Sequence, residues 1–376
     1  MSKFLRVTIN FIVLFFLFFF NLSKIFLYFK KIRSAEIIIF QNQRIGFGNI
    51  FTSLDLAQKM FKKKILFINF FDVTKFHNDK LFMMLNADSI ILRTSIYNSL
   101  RNSRYGEYDI YPKKNLKITQ HLLIQVIKKL RKKHCLDYDI PSLYKFSEKK
   151  SETLKSKKHN ILFKSHKWMN YYYHLVDQNP SLKINKKYCL INKLILKQKK
   201  KTICIYIRRD GLINEYTKNY EFYEQAIKYF IKKKYTIYLV GEYNDLLKKY
   251  PKFKKNIELP ETNFKPNKDL SLAMQLVSNY YLGDSGGGSW FAMYKKHSVL
   301  IGSSEKFYMP NVKHFKNKIF FKGKQIYEKS KIYKKLNELM LKNSIFASPS
   351  FLYKHNFSIK CEDNLKIMNY IKKNFK

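Results

Sequence analysis

The sequence predicts an α/β chain of two Rossmann-like halves facing a cleft, with an N-terminal hydrophobic anchor helix before them. Three observations predict it. Short apolar runs rich in β-branched residues alternate with helical periodicity over Glu36–Phe71 and again over Thr202–Phe321. Loops at strand ends, Arg208–Gly211 and Gly283–Ser289, hold residue types that suit an anionic ligand. The first thirty residues are mostly apolar with basic flanks.

Residues 1–34 form the expected anchor. Val7–Leu22 is apolar apart from Thr8, Asn10 and Asn21, and a second patch follows at Ile25–Phe29. Lys3 and Arg6 precede the run, Lys30, Lys31 and Arg33 follow it, and no acid comes before Glu36. A cleaved signal peptide would show small residues at its cleavage site, and that pattern is missing. A core helix would not place so long an apolar run at the very N-terminus. An anchor remains, either spanning the bilayer or lying in its interface. The larger basic cluster on its C-terminal side predicts that the rest of the chain is cytoplasmic.

Residues 35–198 make the first half. Glu36–Phe40 reads as a buried strand, followed by a polar loop from Gln41 to Gly48. Asn49 can cap a helix whose apolar positions are Ile50, Leu54, Ala57 and Phe61, and Lys62–Lys64 suits its C-terminal end. Ile65–Phe71 is a second strand, completing a right-handed βαβ unit. Asp88–Leu92 reads as a further strand, Thr119–Lys132 as a basic amphipathic helix and Glu148–His159 as a surface loop. This region is expected to shape an acceptor site.

Residues 199–330 make the second half. Strands are expected at Thr202–Ile207, Tyr235–Val240, Ile257–Leu259, Tyr280–Leu282, Ser298–Ile301 and Ile319–Phe321. Helices are expected at Tyr220–Ile231, Leu270–Ser278 and Ser289–Tyr294. Residues 331–376 close the chain with helical stretches at Lys331–Lys342 and Asn364–Phe375. No heptad or solenoid repeat is present.

The chain of 376 residues is long enough for two ordinary cores. Its 73 Lys and Arg against 27 Asp and Glu give a net charge of +46, which attracts nucleic acid, anionic lipid or phosphorylated ligands. Lys dominates alongside Asn, Ile, Phe and Tyr, the signature of an AT-rich coding sequence, and this is the main source of the charge. The Lys runs are scattered and no nucleic-acid module surrounds them, so nucleic acid is not an expected partner. Cys135, Cys189, Cys204 and Cys361 have neither metal-ligand spacing nor the density of a disulfide framework, which fits a reducing compartment.

Three loops carry the candidate chemistry. Gly46-Phe47-Gly48-Asn49 lies between a strand and a helix and lets a ligand approach backbone N–H groups. The third glycine of a dinucleotide fingerprint is replaced by Phe51, which argues against an oxidoreductase. Arg208 and Arg209, followed by Asp210 and Gly211, sit directly beyond a buried strand, where open α/β sheets bind ligands. Guanidinium forks match the oxygens of a diphosphate and keep their charge. Gly283-Asp284-Ser285-Gly286-Gly287-Gly288-Ser289 packs three of 11 glycines in a row and presents N–H and O–H donors. Glu242, beyond the next strand, can hold ribose hydroxyls. Asp210, Asp72, Asp55 and His166 are the candidate general bases. No metal cluster and no nucleophile elbow are evident.

At these loops together the chain resembles GT-B-type glycosyltransferases of the fucosyltransferase-like kind. It is also similar to glycosyltransferases of bacterial surface-polysaccharide clusters. The resemblance rests on Gly46-Phe47-Gly48-Asn49, on Ile207-Arg208-Arg209-Asp210-Gly211 and on Cys204 through Gly286 to Leu300. It covers Glu36–Phe71 and Thr202–Phe321. The family order Arg-Arg-Gly-Asp is here Arg-Arg-Asp-Gly, which leaves the donor sugar open. The resemblance implies a nucleoside-diphosphate sugar as donor, a glycan or lipid-linked acceptor, and neither metal nor other cofactor. It implies Arg208 and Asp210 as catalytic residues and Arg209 on the diphosphate. Glu242, Ser285, Gly286, Gly287, Gly288 and Ser289 would hold the nucleotide, with Gly46, Gly48 and Asn49 facing the sugar or acceptor. A membrane-tethered basic protein without enzymatic activity is the competing reading. It explains the charge and the anchor but not the loops.

Overall fold

The structure is a computed structural model that describes residues 3–42, 47–72, 80–95, 114–153, 167–197, 201–207, 220–263, 265–284, 287–303, 319–322, 324–326, 358–360 and 364–376. The chain divides into two units, Met1–Lys145 and Phe146–Lys376. The sequence reading draws its boundary later, at 198/199. The helices between lie with the second unit, where the helix Cys189–Lys197 packs on the helix Lys268–Val277.

In the first unit, helices α1 (Lys3–Leu27) and α2 (Phe29–Ser34) precede strand β1 (Ile37–Asn42). Then come α3 (Phe47–Met60), β2 (Ile65–Asp72), α4 (Lys80–Met84), β3 (Asp88–Ser95), α5 (Lys114–Leu130) and β4 (Leu136–Asp139). The four strands are all parallel, in the order β3-β2-β1-β4. A parallel sheet is covered on both faces, so its central strands carry continuous apolar runs. Ile37, Ile38, Ile39 and Phe40 are accordingly all buried. Ile38, Phe40, Ile68 and Leu92 meet Ile25, Ile32, Leu123 and Ile127 in one core.

Helix α3 starts at Phe47, so Asn49 lies within its first turn rather than capping it. Helix α6 (Ile140–Thr153) occupies the start of the stretch expected to be a loop. Asp139 caps it by accepting from the Ser142 N–H at 2.8 Å, and Lys and Glu on its exposed positions are good helix formers.

The anchor expectation needs correcting. Among the described residues no helix is long and apolar enough to cross a membrane, so a spanning anchor has no support. Helix α1 instead docks on its own domain. Asn21 is fully buried, donates Nδ2 to the Arg93 carbonyl at 2.7 Å and accepts the Arg93 N–H on Oδ1 at 2.9 Å. An amide in the middle of an apolar helix thus completes the backbone of strand β3.

The second unit follows with α7 (Lys167–Gln178), α8 (Cys189–Lys197) and strands β5 (Thr202–Ile207), β6 (Thr236–Gly241) and β7 (Ile257–Glu258). A short hairpin, β8 (Glu261–Thr262) with β9 (Lys265–Pro266), leads to β10 (Tyr280–Asp284), β11 (His297–Ser303) and β12 (Ile319–Lys322). Six strands form one parallel sheet in the order β12-β11-β10-β5-β6-β7. An antiparallel pair that sequence reading did not foresee, β13 (Lys324–Ile326) with β14 (Ser358–Lys360), is separate from it. The helix Tyr220–Lys232 buries Phe222, Tyr223, Ala226, Ile227 and Phe230 against Ile203, Ile205 and Ile207. The helix Asn364–Asn374 adds Ile367, Met368 and Ile371 to the same core. The helix expected at Lys331–Lys342 lies outside the described residues.

Candidate functional site

Strand order decides where each sheet can hold a ligand. In the second unit the chain runs outward from β5 through β6 to β7, then returns to β10 on the other side of β5 and continues outward. Two crossovers that leave a pair of neighbouring strands in opposite directions open a crevice beyond their carboxyl ends. That pair is β5 and β10, in register at Tyr206 and Gly283. The chain leaves β5 at Ile207 into Arg208-Arg209-Asp210, and leaves β10 at Asp284 into Ser285-Gly286. The arginine and glycine loops, some 75 positions apart in sequence, therefore start side by side at the switch point, at strand spacing of roughly 5 Å.

Two glycines allow this convergence. A Cβ on Gly283 would meet the Tyr206 carbonyl oxygen at 2.2 Å. Gly241 ends β6 at φ +89°, and a Cβ there would lie 2.0 Å from the Ile207 carbonyl oxygen. The backbone of β5 is thus approached closely at its carboxyl end from both flanks. Sequence reading saw Gly241 only as a strand terminator. The signal was its place one residue before Glu242 at the strand end. Glu242 is exposed there, and its N–H donates to the Ile207 carbonyl at 2.8 Å. It follows β6, the neighbour of β5.

The helix expected at Ser289–Tyr294 is present and takes 3-10 form over Gly287–Tyr294. Three consecutive glycines start α-helices poorly, and the tighter turn is held by tertiary contacts. Phe291, Ala292 and Met293 are buried, and Ser298 Oγ donates to the Ala292 carbonyl at 2.7 Å. Tyr172 Oη lies 3.4 Å from Tyr294 Oη and donates to Met293 Sδ at 3.7 Å. Gly287, Gly288 and Ser289 lie in the turn, whereas Arg208, Arg209, Asp210, Ser285 and Gly286 lie outside the described residues.

The first unit repeats the logic on a smaller scale. Its order β3-β2-β1-β4 places the switch point between β1 and β4. The loop that holds Gly46 departs from the end of β1, and Gly48 and Asn49 open α3. Gly46 lies outside the described residues. Gln41 Nε2 donates to Ser53 Oγ at 2.6 Å and ties the end of β1 to α3. Phe51, which stands where a dinucleotide fingerprint needs glycine, is fully buried.

The general-base candidates separate. Asp55 is buried in α3 and ion-paired with Lys59 at 3.8 Å, a structural arrangement. Asp72 ends β2, and His166 lies outside the described residues. Among the described residues no group of three His, Cys, Asp or Glu could hold a metal ion.

A different feature sits at the opposite edge of the second sheet. A cavity of about 540 Å³ opens at the amino ends of β5 and β10, lined among others by Lys201, Asn279, Tyr280, Lys295 and Lys296. Lys295 is buried and donates Nζ to the carbonyls of Leu276 at 2.9 Å and Ser278 at 2.7 Å. Burial lowers its pKa to about 7, against the opposing pull of Cys204. Burial likewise pushes the Cys204 thiol up to about 12, as fits an inert core cysteine.

No protein-family model and no curated protein matches the chain. Among solved structures, a family 9 glycosyl transferase from Veillonella parvula is 12% identical at a TM-score of 0.47, covering 91% of this chain and 97% of that one. The E. coli heptosyltransferase WaaC with ADP-2-deoxy-2-fluoro heptose is 10% identical at a TM-score of 0.40, covering 75% of this chain and 92% of that one. The UDP-GlcNAc 2-epimerase of Methanocaldococcus jannaschii is 13% identical at a TM-score of 0.37, covering 83% and 95%. Two of these are glycosyltransferases, the class that the sequence resemblance names, and the third is an epimerase. Likeness at this level assigns no reaction to this chain.

Proposed function

We propose that the chain is a glycosyltransferase. It moves a sugar from a nucleoside-diphosphate sugar to a glycan or lipid-linked acceptor in cell-surface polysaccharide synthesis, without a metal ion. Its catalytic part faces the cytoplasm at a membrane. The observation that carries the reading is the departure of the arginine and glycine loops from paired strands β5 and β10 at the switch point. Neither loop alone specifies a diphosphate site. Together they supply fixed cationic forks and a run of backbone donors around one crevice.

The mechanism follows from charge. Negative charge grows on the β-phosphate as the glycosidic bond to the nucleoside diphosphate breaks. Arg208 and Arg209 stabilise it in the role a metal plays elsewhere. The loop around Ser285–Ser289 holds the diphosphate, and Glu242 holds the ribose hydroxyls. Asp210 takes the proton of the attacking acceptor hydroxyl. Gly46, Gly48 and Asn49 contact the sugar or acceptor.

The test is binding of GDP, UDP, CMP and dTDP types of sugar-nucleotide to the wild type and to Arg208→Ala, followed by transfer assays with and without a chelator. One nucleotide binds in moderate salt, and Arg208→Ala lowers turnover roughly 100-fold, about 3 kcal/mol of barrier. Activity survives the chelator. A protein that binds no sugar-nucleotide, yet holds duplex DNA or anionic vesicles in a steeply salt-dependent way, would be the basic tether instead.

A further inference from the structure

Helix α1 has one face in its domain and one face uncovered. Asn21 and Ile25 are buried, and Ile32 of α2 continues the docked side. Ile12, Phe15, Phe16, Phe19, Phe20, Phe26 and Leu27 are exposed, between 48% and 75% of their surface. Their spacing of three and four residues draws a single stripe along the helix, about 22 Å long at 1.5 Å per residue. The aromatic rings pack on one another, with Phe15 and Phe19 at 4.7 Å between centroids. A continuous patch of this kind is too large to be the ordinary scatter of surface apolar residues.

Polar groups on this face are arranged for an apolar medium. Ser23 interrupts the stripe but turns its hydroxyl back onto the Phe20 carbonyl at 2.8 Å. Lys24 Nζ lies 4.7 Å over the Phe20 ring, and the Arg33 guanidinium 5.5 Å over the Phe29 ring. Lys30 and Arg33 are exposed beyond the stripe, while Lys31 is paired with Asp88 at 3.3 Å. Glu36 is the only acid in the first 40 residues. An apolar stripe bordered by unopposed cations complements an anionic lipid surface rather than an acid-free protein groove.

We infer that α1 and α2 lie in the plane of a bilayer, the stripe from Ile12 to Leu27 seated among the upper acyl chains and Lys24, Lys30 and Arg33 among anionic headgroups. The inference rests on the membrane-facing transferase reading and specifies its attachment. Upright insertion would strip Asn21 from the Arg93 backbone. The in-plane pose keeps both bonds and leaves the domain beside its lipid surface.

The test is flotation of the full chain with vesicles of phosphatidylcholine alone and of phosphatidylcholine mixed with phosphatidylglycerol. The expected result is flotation with the anionic vesicles, weakened by salt. The triple variant Phe16→Ser, Phe19→Ser, Phe20→Ser then loses about tenfold or more of that binding. These side chains are exposed, so the variant keeps its circular dichroism and its sugar-nucleotide binding. Loss of nucleotide binding in wild type and variant alike would strike the transferase reading and not the lipid seat. Depth is read from Phe16→Trp and Phe26→Trp, each against the wild type, with brominated lipids. Equal, shallow quenching supports the in-plane pose, and position 16 lying deep while position 26 is shallow overturns it. Failure of the wild type to float, undiminished flotation of the triple variant, or a lipid-free dimer broken by the triple variant also overturns it.

Discussion

Gly241→Ala is the sharpest probe of the pinched strand ends. At most surface positions a glycine-to-alanine change that the backbone tolerates stabilises by about 0.4–1 kcal/mol, because the unfolded chain loses freedom. Here the sign reverses. Gly241 has φ +89°, where an L-residue pays roughly 1–2 kcal/mol. The new Cβ would stand 2.0 Å from the Ile207 carbonyl oxygen, so β6 must withdraw from β5 by about an ångström or more. That movement gives up the Glu242 N–H bond to Ile207, a loss of about 1 kcal/mol. The total is about 2–3 kcal/mol. The chain has two tryptophans, Trp168 and Trp290, and both lie in the second unit. Their fluorescence during urea unfolding reports this unit selectively. With m of about 3 kcal/mol/M, the midpoint falls by roughly 1 M. Sugar-nucleotide affinity falls with it, since the end of β5 carries the arginine loop. A variant as stable as the wild type, or more so, would refute the close approach and with it the geometry proposed for the site.

Two further predictions concern buried polar groups. Lys295 has its folded pKa lowered to about 7, so between that value and the ordinary lysine range the unfolded chain binds the extra proton. Stability of the second unit therefore rises as pH increases above 7, by up to about 1.4 kcal/mol per pH unit, and the full cost of the buried charge is present below 7. The rise is read between about pH 7 and 8.5, below the ordinary thiol and phenol range. Lys295→Met flattens it, and an unchanged slope would refute the assignment. Asn21→Ala removes both bonds to the Arg93 backbone and leaves a buried donor and acceptor without their amide, a cost of about 2–4 kcal/mol. Hydrogen exchange at the Arg93 amide then accelerates by an order of magnitude or more, and unaltered protection would show that α1 is not clamped there.

What the sequence disclosed, and what it withheld, divides along local and non-local physics. The runs Ile37–Phe40, Ile65–Phe71, Thr202–Ile207 and Thr236–Val240 are strands because continuous β-branched and aromatic residues suit a sheet covered on both faces. Tyr220–Lys232 is a helix because its apolar residues recur at helical spacing. Helix α6 escaped notice because its C-terminal half is polar and its burial depends on partners distant in sequence, such as the Trp168 carbonyl for Ser147 Oγ. The helix at Gly287–Tyr294 was legible but its 3-10 form was not, since Tyr172 and Ser298 hold it. The site was legible as two loop motifs beyond strands. That the strands before them, β5 and β10, are neighbours was not, since strand order is fixed by packing of the whole sheet. Asn21 read as a blemish in an apolar run, whereas it completes the backbone of β3.

Charge alone would send a diphosphate to the other edge of the second sheet. Lys201, Lys295 and Lys296 line the cavity at the amino ends of β5 and β10. Geometry argues the reverse. Lys295 is committed to the carbonyls of Leu276 and Ser278, the C-terminal end of the helix Lys268–Val277, where the helix dipole is negative and repels an anion. Lys201 and Lys296 are exposed and hydrated, and such point charges hold phosphate weakly beside a pair of arginine forks and a run of loop N–H groups. The double variant Lys201→Glu, Lys296→Glu therefore leaves sugar-nucleotide affinity within about twofold of the wild type, a long-range effect screened by salt. Arg208→Ala under the same conditions lowers it about tenfold or more. Titration of both variants with one nucleotide at moderate salt decides the matter. If the lysine variant loses binding and the arginine variant keeps it, the ligand sits at the amino edge, and the switch point between β5 and β10 is not the donor site.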